Sequence, residues 1–174
     1  MADFGGRSGG PDHKTMGVFM RLALGLAAAV AVTAFATTAE AACPNYAAAP
    51  SFGQISLNAG FLPDPYRRRV TAGGGNNLGT CNAVPGVGWI AVRPDFDLYY
   101  SGGSRLTIAI ESSVDTILLI NDPSGQWHFN DDSPAYGLGA GITFTNPQGG
   151  LYDIWIGTYN PGSGIPANLV ITER

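Results

Sequence analysis

The chain has 174 residues, a net charge of −4 and two cysteines. Past Lys14 it carries no lysine, and the arginines at 67, 68, 69, 93, 105 and 174 are outnumbered by acids, so no basic face exists for a phosphate backbone and nucleic acid is excluded as a partner. One domain's worth of chain follows the N-terminal segment, enough to bury a single core.

Lys14 and Arg21 precede an uncharged, mostly apolar run from Leu22 to Val32 that ends near Phe35. That run falls short of the roughly 20 apolar residues a membrane span needs. Small side chains at Ala39 and Ala41 fit the subsites of signal peptidase and place cleavage between Ala41 and Ala42. Residues 1–41 therefore read as an N-terminal extension plus a secretory signal peptide. Residues 42–174 read as a mature domain without a membrane span, periplasmic or secreted. A lipoprotein is disfavoured, because Glu40-Ala41-Ala42 ahead of Cys43 lacks an apolar residue three positions upstream.

Cys43 and Cys81 both fall in the mature part, and an even count in an exported chain predicts one disulfide. Closing that loop is worth roughly 3 to 4 kcal/mol on the chain-entropy view, and it pins the new N-terminus to the domain.

From there, strands are predicted near 53–58, 67–71, 88–92, 96–100, 104–111, 115–120, 126–129, 141–145, 151–158 and 167–172. Leu106, Ile108 and Ile110 alternate with polar or small residues, as do Ile142 and Phe144, then Tyr152, Ile154 and Ile156, then Leu169 and Ile171. That period of two marks half-buried strands. The unbroken apolar run Ile117–Ile120 predicts a more central strand. Pro63-Asp64-Pro65, Ala72 through Asn77, Asp122-Pro123-Ser124-Gly125, Asn146 through Gly150 and Asn160 through Gly164 carry turn residues and are expected to reverse the chain. No stretch sustains a helical period. The predicted fold is all-β, an antiparallel β-sandwich of jelly-roll type.

Catalytic machinery is sparse. The mature part holds one histidine, His128, between Trp127 and Phe129, where packing is the expected role rather than that of a base in a Ser-His-Asp arrangement. No Gly-x-Ser-x-Gly elbow, phosphate loop or His-rich metal site is present. No catalytic residue is assigned.

The densest polar cluster is Asn130-Asp131-Asp132-Ser133, following Asn121-Asp122. Adjacent carboxylates repel unless a cation or donors neutralise them, and hard oxygen donors suit calcium, with Asp115 or Asp153 able to add a ligand. The second reading is turn capping, with Asp122, Asn130 and Asp131 accepting backbone amides. Both stay open. Trp89, Trp127 and Trp155, with Tyr99, Tyr100, Tyr136 and Tyr159, are expected mainly in the core or in cross-strand pairs, although exposed rings on a sheet face can stack on sugars. Arg67-Arg68-Arg69 reads as a charged strand edge that blocks edge-to-edge pairing.

Asp115-Thr116 opening a strand, Pro123-Ser124-Gly125, Asn130-Asp131-Asp132 and the late Gly150-Leu151-Tyr152 together resemble the bacterial pre-peptidase C-terminal domain group, over roughly residues 104–172. The resemblance implies a jelly-roll-like sandwich that accompanies secreted enzymes and aids export or adhesion. It also implies calcium in some members, with Asp131 and Asp132, then Asp115, Asp122 and Asn130, as ligands here. The expected function is a secreted, non-catalytic accessory or binding domain, with calcium as the candidate ion and an unidentified macromolecule, protein or polysaccharide, as partner. The alternative is a small secreted hydrolase of peptidase type.

Overall fold

The computed structural model describes residues 42–174; the signal-peptide expectation lies outside them. Eleven strands follow in chain order: β1 (Gln54–Leu57), β2 (Tyr66–Gly74), β3 (Asn76–Asn77), β4 (Trp89–Ile90), β5 (Phe96–Tyr100), β6 (Arg105–Glu111), β7 (Thr116–Asn121), β8 (Trp127–Asn130), β9 (Gly141–Thr145), β10 (Gly150–Thr158) and β11 (Gly162–Thr172). The one 3-10 turn among the described residues, Leu78–Thr80, is capped by Asn77, whose side chain accepts the Gly79 amide at 3.0 Å.

The strands form two sheets. In the larger, β10 is central: β7 runs along one edge with β8 beyond it, and the other edge is shared by β5 and β4. The smaller sheet has the order β2-β11-β6-β9. The period-two faces meet between the sheets: Phe96, Leu98 and Tyr100 of β5, Leu106, Ile108 and Ile110 of β6, Tyr152, Ile154 and Ile156 of β10, and Leu169 and Ile171 of β11 make one buried cluster. This is the predicted sandwich. β7 is buried along its whole length, because both of its faces meet apolar neighbours. Arg67, Arg68 and Arg69 lie on β2, an edge strand, as expected, and Arg67 reaches Glu111 at 2.8 Å.

Three local expectations are corrected. β1 pairs with β5 in parallel, so the sheets are not wholly antiparallel. The glycine run after Ala72 does not reverse the chain at its start: β2 continues to Gly74, and β3 opens at Asn76. Gly74 is required there by proximity, since a Cβ would run into the Ile90 backbone. At the other end, β11 begins at Gly162, with a register irregularity against β2 between Gly162 and Ile165, so pairing extends through residues that read as a turn.

A second apolar cluster sits on the outer face of the larger sheet. Ile117 and Leu119 of β7 and Trp155 of β10 are covered there by Leu78, Cys81 and Ile90. The Cys43–Cys81 disulfide, 38 residues apart in sequence, ties this covering segment to the N-terminal stretch. Trp155 donates its indole N–H to the Val92 carbonyl at 3.3 Å, and Asn45 donates its backbone amide to the same oxygen at 2.7 Å.

Candidate functional site

The covering segment reaches only part of the outer face. Beyond it the strand alternation delivers polar residues. With Phe96, Leu98 and Tyr100 turned into the core, Asp95, Asp97 and Tyr99 face outward; with Tyr152, Ile154 and Ile156 turned inward, Leu151 and Asp153 face outward. Register then sets partners. Asp97 stands opposite Asp153, and Asp153 stands opposite Asn121 on its other side. The three make a polar row across β5, β10 and β7, each only 5–6 % exposed.

Two carboxyl groups side by side in a buried setting cannot both ionise without compensation. Asp97 and Asp153 face each other across β5 and β10, and the proximity of the two carboxyls disfavours ionising both at once. Burial first, then the Asp97 charge, push Asp153 up to about 7. Burial pushes Asp97 up as well. Asp97 Oδ1 is buried with no hydrogen-bond partner. Nearby, Asp95 is 3 % exposed and accepts the Ile156 amide at 2.7 Å. Burial pushes its carboxyl up to about 7 in spite of that hydrogen bond.

An open groove of about 340 Å³ runs beside the row, bordered by Asn121, Asp122, Gln148, Gly149, Leu151 and Asp153. Tyr99, 41 % exposed, is the cross-strand neighbour of Leu151. A larger groove of about 550 Å³ lies on the smaller sheet around Arg69, Glu111 and Asn168, but Glu111 is already engaged by Arg67.

The five predicted metal ligands are not gathered into one cage. Asp115 and Asp122 flank β7, so a strand of about 20 Å separates them at roughly 3.3 Å per residue. Asp122 caps its turn, accepting the Ser124 amide at 2.8 Å, the Ser124 hydroxyl at 2.6 Å and the Gln126 amide at 3.0 Å. Burial alone raises the Asp122 carboxyl, but these bonds and the one from His128 outweigh it and hold the group below the ordinary range. Asn130 Oδ1 accepts the Gly141 amide at 2.9 Å. For Asp122, then, the capping reading describes the contacts, whereas Asn130 bonds eleven residues away to the start of β9 rather than capping its own turn. Asp115 lies near the loop acids: its carboxyl is raised by burial, then by the charges of Asp132 and Asp131. Among the described residues no three His, Cys, Asp or Glu side chains form a metal-holding group.

His128 is half-buried, its Nε2 2.7 Å from Asp122 Oδ2 and its ring edge-on to Phe144 at 4.9 Å between centroids. Ser124 donates to the same carboxylate rather than to the imidazole, so serine, histidine and aspartate do not stand in relay order.

Sequence reasoning singled out Asp153 only as an added calcium ligand, named Asn121 only beside Asp122, and passed over Asp95 and Asp97. The available signal was the Asp95-Phe96-Asp97 alternation, which puts two acids on the non-core side of a buried strand.

No family model matches the chain, and no curated protein matches it. Among solved structures it is similar to the pre-peptidase C-terminal domain of a collagenase from Bacillus anthracis, at 12 % identity and a TM-score of 0.44, over 71 % of this chain and 97 % of that one. It is also similar to Aeromonas hydrophila PliG, a periplasmic inhibitor of g-type lysozyme (14 %, 0.40, 69 % of this chain and 96 % of that one). A third is CorA, a surface-associated copper-binding protein of Methylomicrobium album BG8 (12 %, 0.39, 72 % and 100 %).

Proposed function

We propose that this protein is an extracytoplasmic, non-catalytic binding or accessory domain that presents the outer face of its larger sheet to a macromolecule of the cell envelope or its surroundings. The observation that carries the non-catalytic part is the engagement of His128: the one histidine among the described residues is held by Asp122 and Phe144, with the adjacent serine hydroxyl turned to the carboxylate. The Cys43–Cys81 disulfide supports an oxidising compartment, because such bridges rarely persist in a reducing cytosol. Among the described residues no helix is long and apolar enough to cross a membrane.

The surface offered to a partner is the groove beside Leu151 and the exposed ring of Tyr99. A flat ring beside polar groups suits a sugar or an extended peptide. The test has two arms. Purified protein is assayed for turnover of generic peptides and polysaccharides, alone and as His128→Ala. It is then assayed for retention on envelope polysaccharide and on the secreted proteins of its own cell, alone and as Tyr99→Ala. The expected result is retention that weakens at least several-fold in Tyr99→Ala, with no turnover. Turnover that collapses in a folded His128→Ala variant restores the hydrolase alternative.

A further inference from the structure

The row of Asp97, Asp153 and Asn121 is left electrically incomplete. Directly opposed residues on neighbouring strands hold their Cβ atoms about 4.5–5.5 Å apart, and like charges at that separation destabilise a sheet. The fold places two carboxyl groups there, both more than nine-tenths buried, on adjacent strands whose positions are dictated by the core. None of the ion pairs among the described residues involves either acid: the arginine pairs are Arg67 with Glu111 and Arg174 with Asp64, and His128 pairs with Asp122. Residues 42–174 have no lysine to supply the charge. Within the row, Asp97 Oδ1 is fully buried without a hydrogen-bond partner.

Asn121 completes an oxygen-bearing set from three consecutive strands, with its carboxamide beside Asp153. The groove bordered by Asn121 and Asp153 gives access from solvent, so an ion need not cross the core. Carboxylate and carboxamide oxygens without nitrogen or sulfur donors select hard cations over softer transition metals.

We propose that Asp97, Asp153 and Asn121 form a divalent-cation site, of the calcium class, entered through the groove beside Asn121 and Asp153, with water completing the coordination. The ion compensates the two opposed carboxyls, satisfies Asp97 Oδ1 and ties β5, β10 and β7 together across the middle of the larger sheet. This site is separate from the 130–133 loop, and it does not depend on the macromolecular partner proposed above.

Calcium itself is the probe, and the loop variant Asp131→Ala/Asp132→Ala is the background that removes the competing site. Melting temperature is measured in chelator and in millimolar calcium, alongside calorimetric titration. The expected result is a calcium-dependent rise of several degrees in the wild type and in the loop variant, with binding of one ion per chain. Asp153→Asn in either background is expected to melt no lower than its parent in chelator, because the amide removes one of two opposed buried carboxyls, and to lose the rise. Asp97→Asn is the parallel variant if Asp153→Asn does not fold, and titration of the loop variant decides the matter if neither does. A wild type that neither binds nor responds to calcium overturns the proposal. So does a rise that survives Asp153→Asn, or one that disappears in the loop variant.

Discussion

The Asp95 carboxylate accepts the amide of Ile156 at 2.7 Å, at the point on β10 where β5 has ended and β4 has yet to begin. A side chain thus supplies the acceptor that a neighbouring strand would otherwise provide, in a position where an unsatisfied amide costs about 1–3 kcal/mol. Asp95→Ala should therefore lower stability by about that amount, measured by urea unfolding. Asp95→Asn, which keeps an acceptor oxygen, should retain most of it.

Stability should fall as pH rises from about 4 to 7. Asp95 and Asp153 hold their protons in the folded chain up to about 7, whereas the ordinary carboxyl value is 3.8. Between those values the folded state binds more protons than the unfolded one, so the stabilisation is complete below the lower value and lost through the upper one. Asp122 acts in the opposite sense, and only at the acid end, because its carboxyl is held low. In chelator, the melting temperature at pH 5 should exceed that at pH 8 by several degrees, and Asp95→Asn should flatten the difference. A melting temperature that climbs from pH 5 to pH 8 contradicts this account of the buried acids.

Reduction of the Cys43–Cys81 bridge, or Cys81→Ser, should cost roughly 4 kcal/mol, the loop entropy of the 38-residue separation, and should loosen the segment over Trp155 first. Hydrogen exchange would reveal this as faster exchange at Leu78 and Ile90 before β6 or β11 responds. Uniform loosening of both sheets would show instead that the covering segment is part of the main cooperative unit.

Gly74→Ala should destabilise by about 1–3 kcal/mol, since the new methyl meets the Ile90 backbone, which cannot swing aside as a side chain can. Gly75→Ala, one residue on and facing open space, is the control and should change stability little. Thermal melts of the two variants check the pair directly.

Much of the fold was legible in the residues alone. Alternation in β6, β10 and β11 identified the core face, because a pleated strand sends successive side chains to opposite sides whatever its neighbours are. The paired cysteines and the central character of β7 were equally readable. The capping contacts of Asp122 with Ser124 and Gln126 are local too, and the sequence offered them as one of two readings.

Register is what alternation does not encode. Asp97 and Asp153 lie 56 positions apart in sequence, and nothing local states that β5 and β10 are neighbours or which residues face each other; both follow from how the two sheets close on a shared core. For the same reason the parallel β1–β5 pairing and the continuation of β2 through Gly73 and Gly74 were not visible beforehand. The residues determined that Asp97 and Asp153 would each face away from the core. Only the tertiary structure set them side by side with Asn121, because the paired strands must keep Phe96, Leu98, Tyr152 and Ile154 in the core, and a one-residue slip would turn them to the other face.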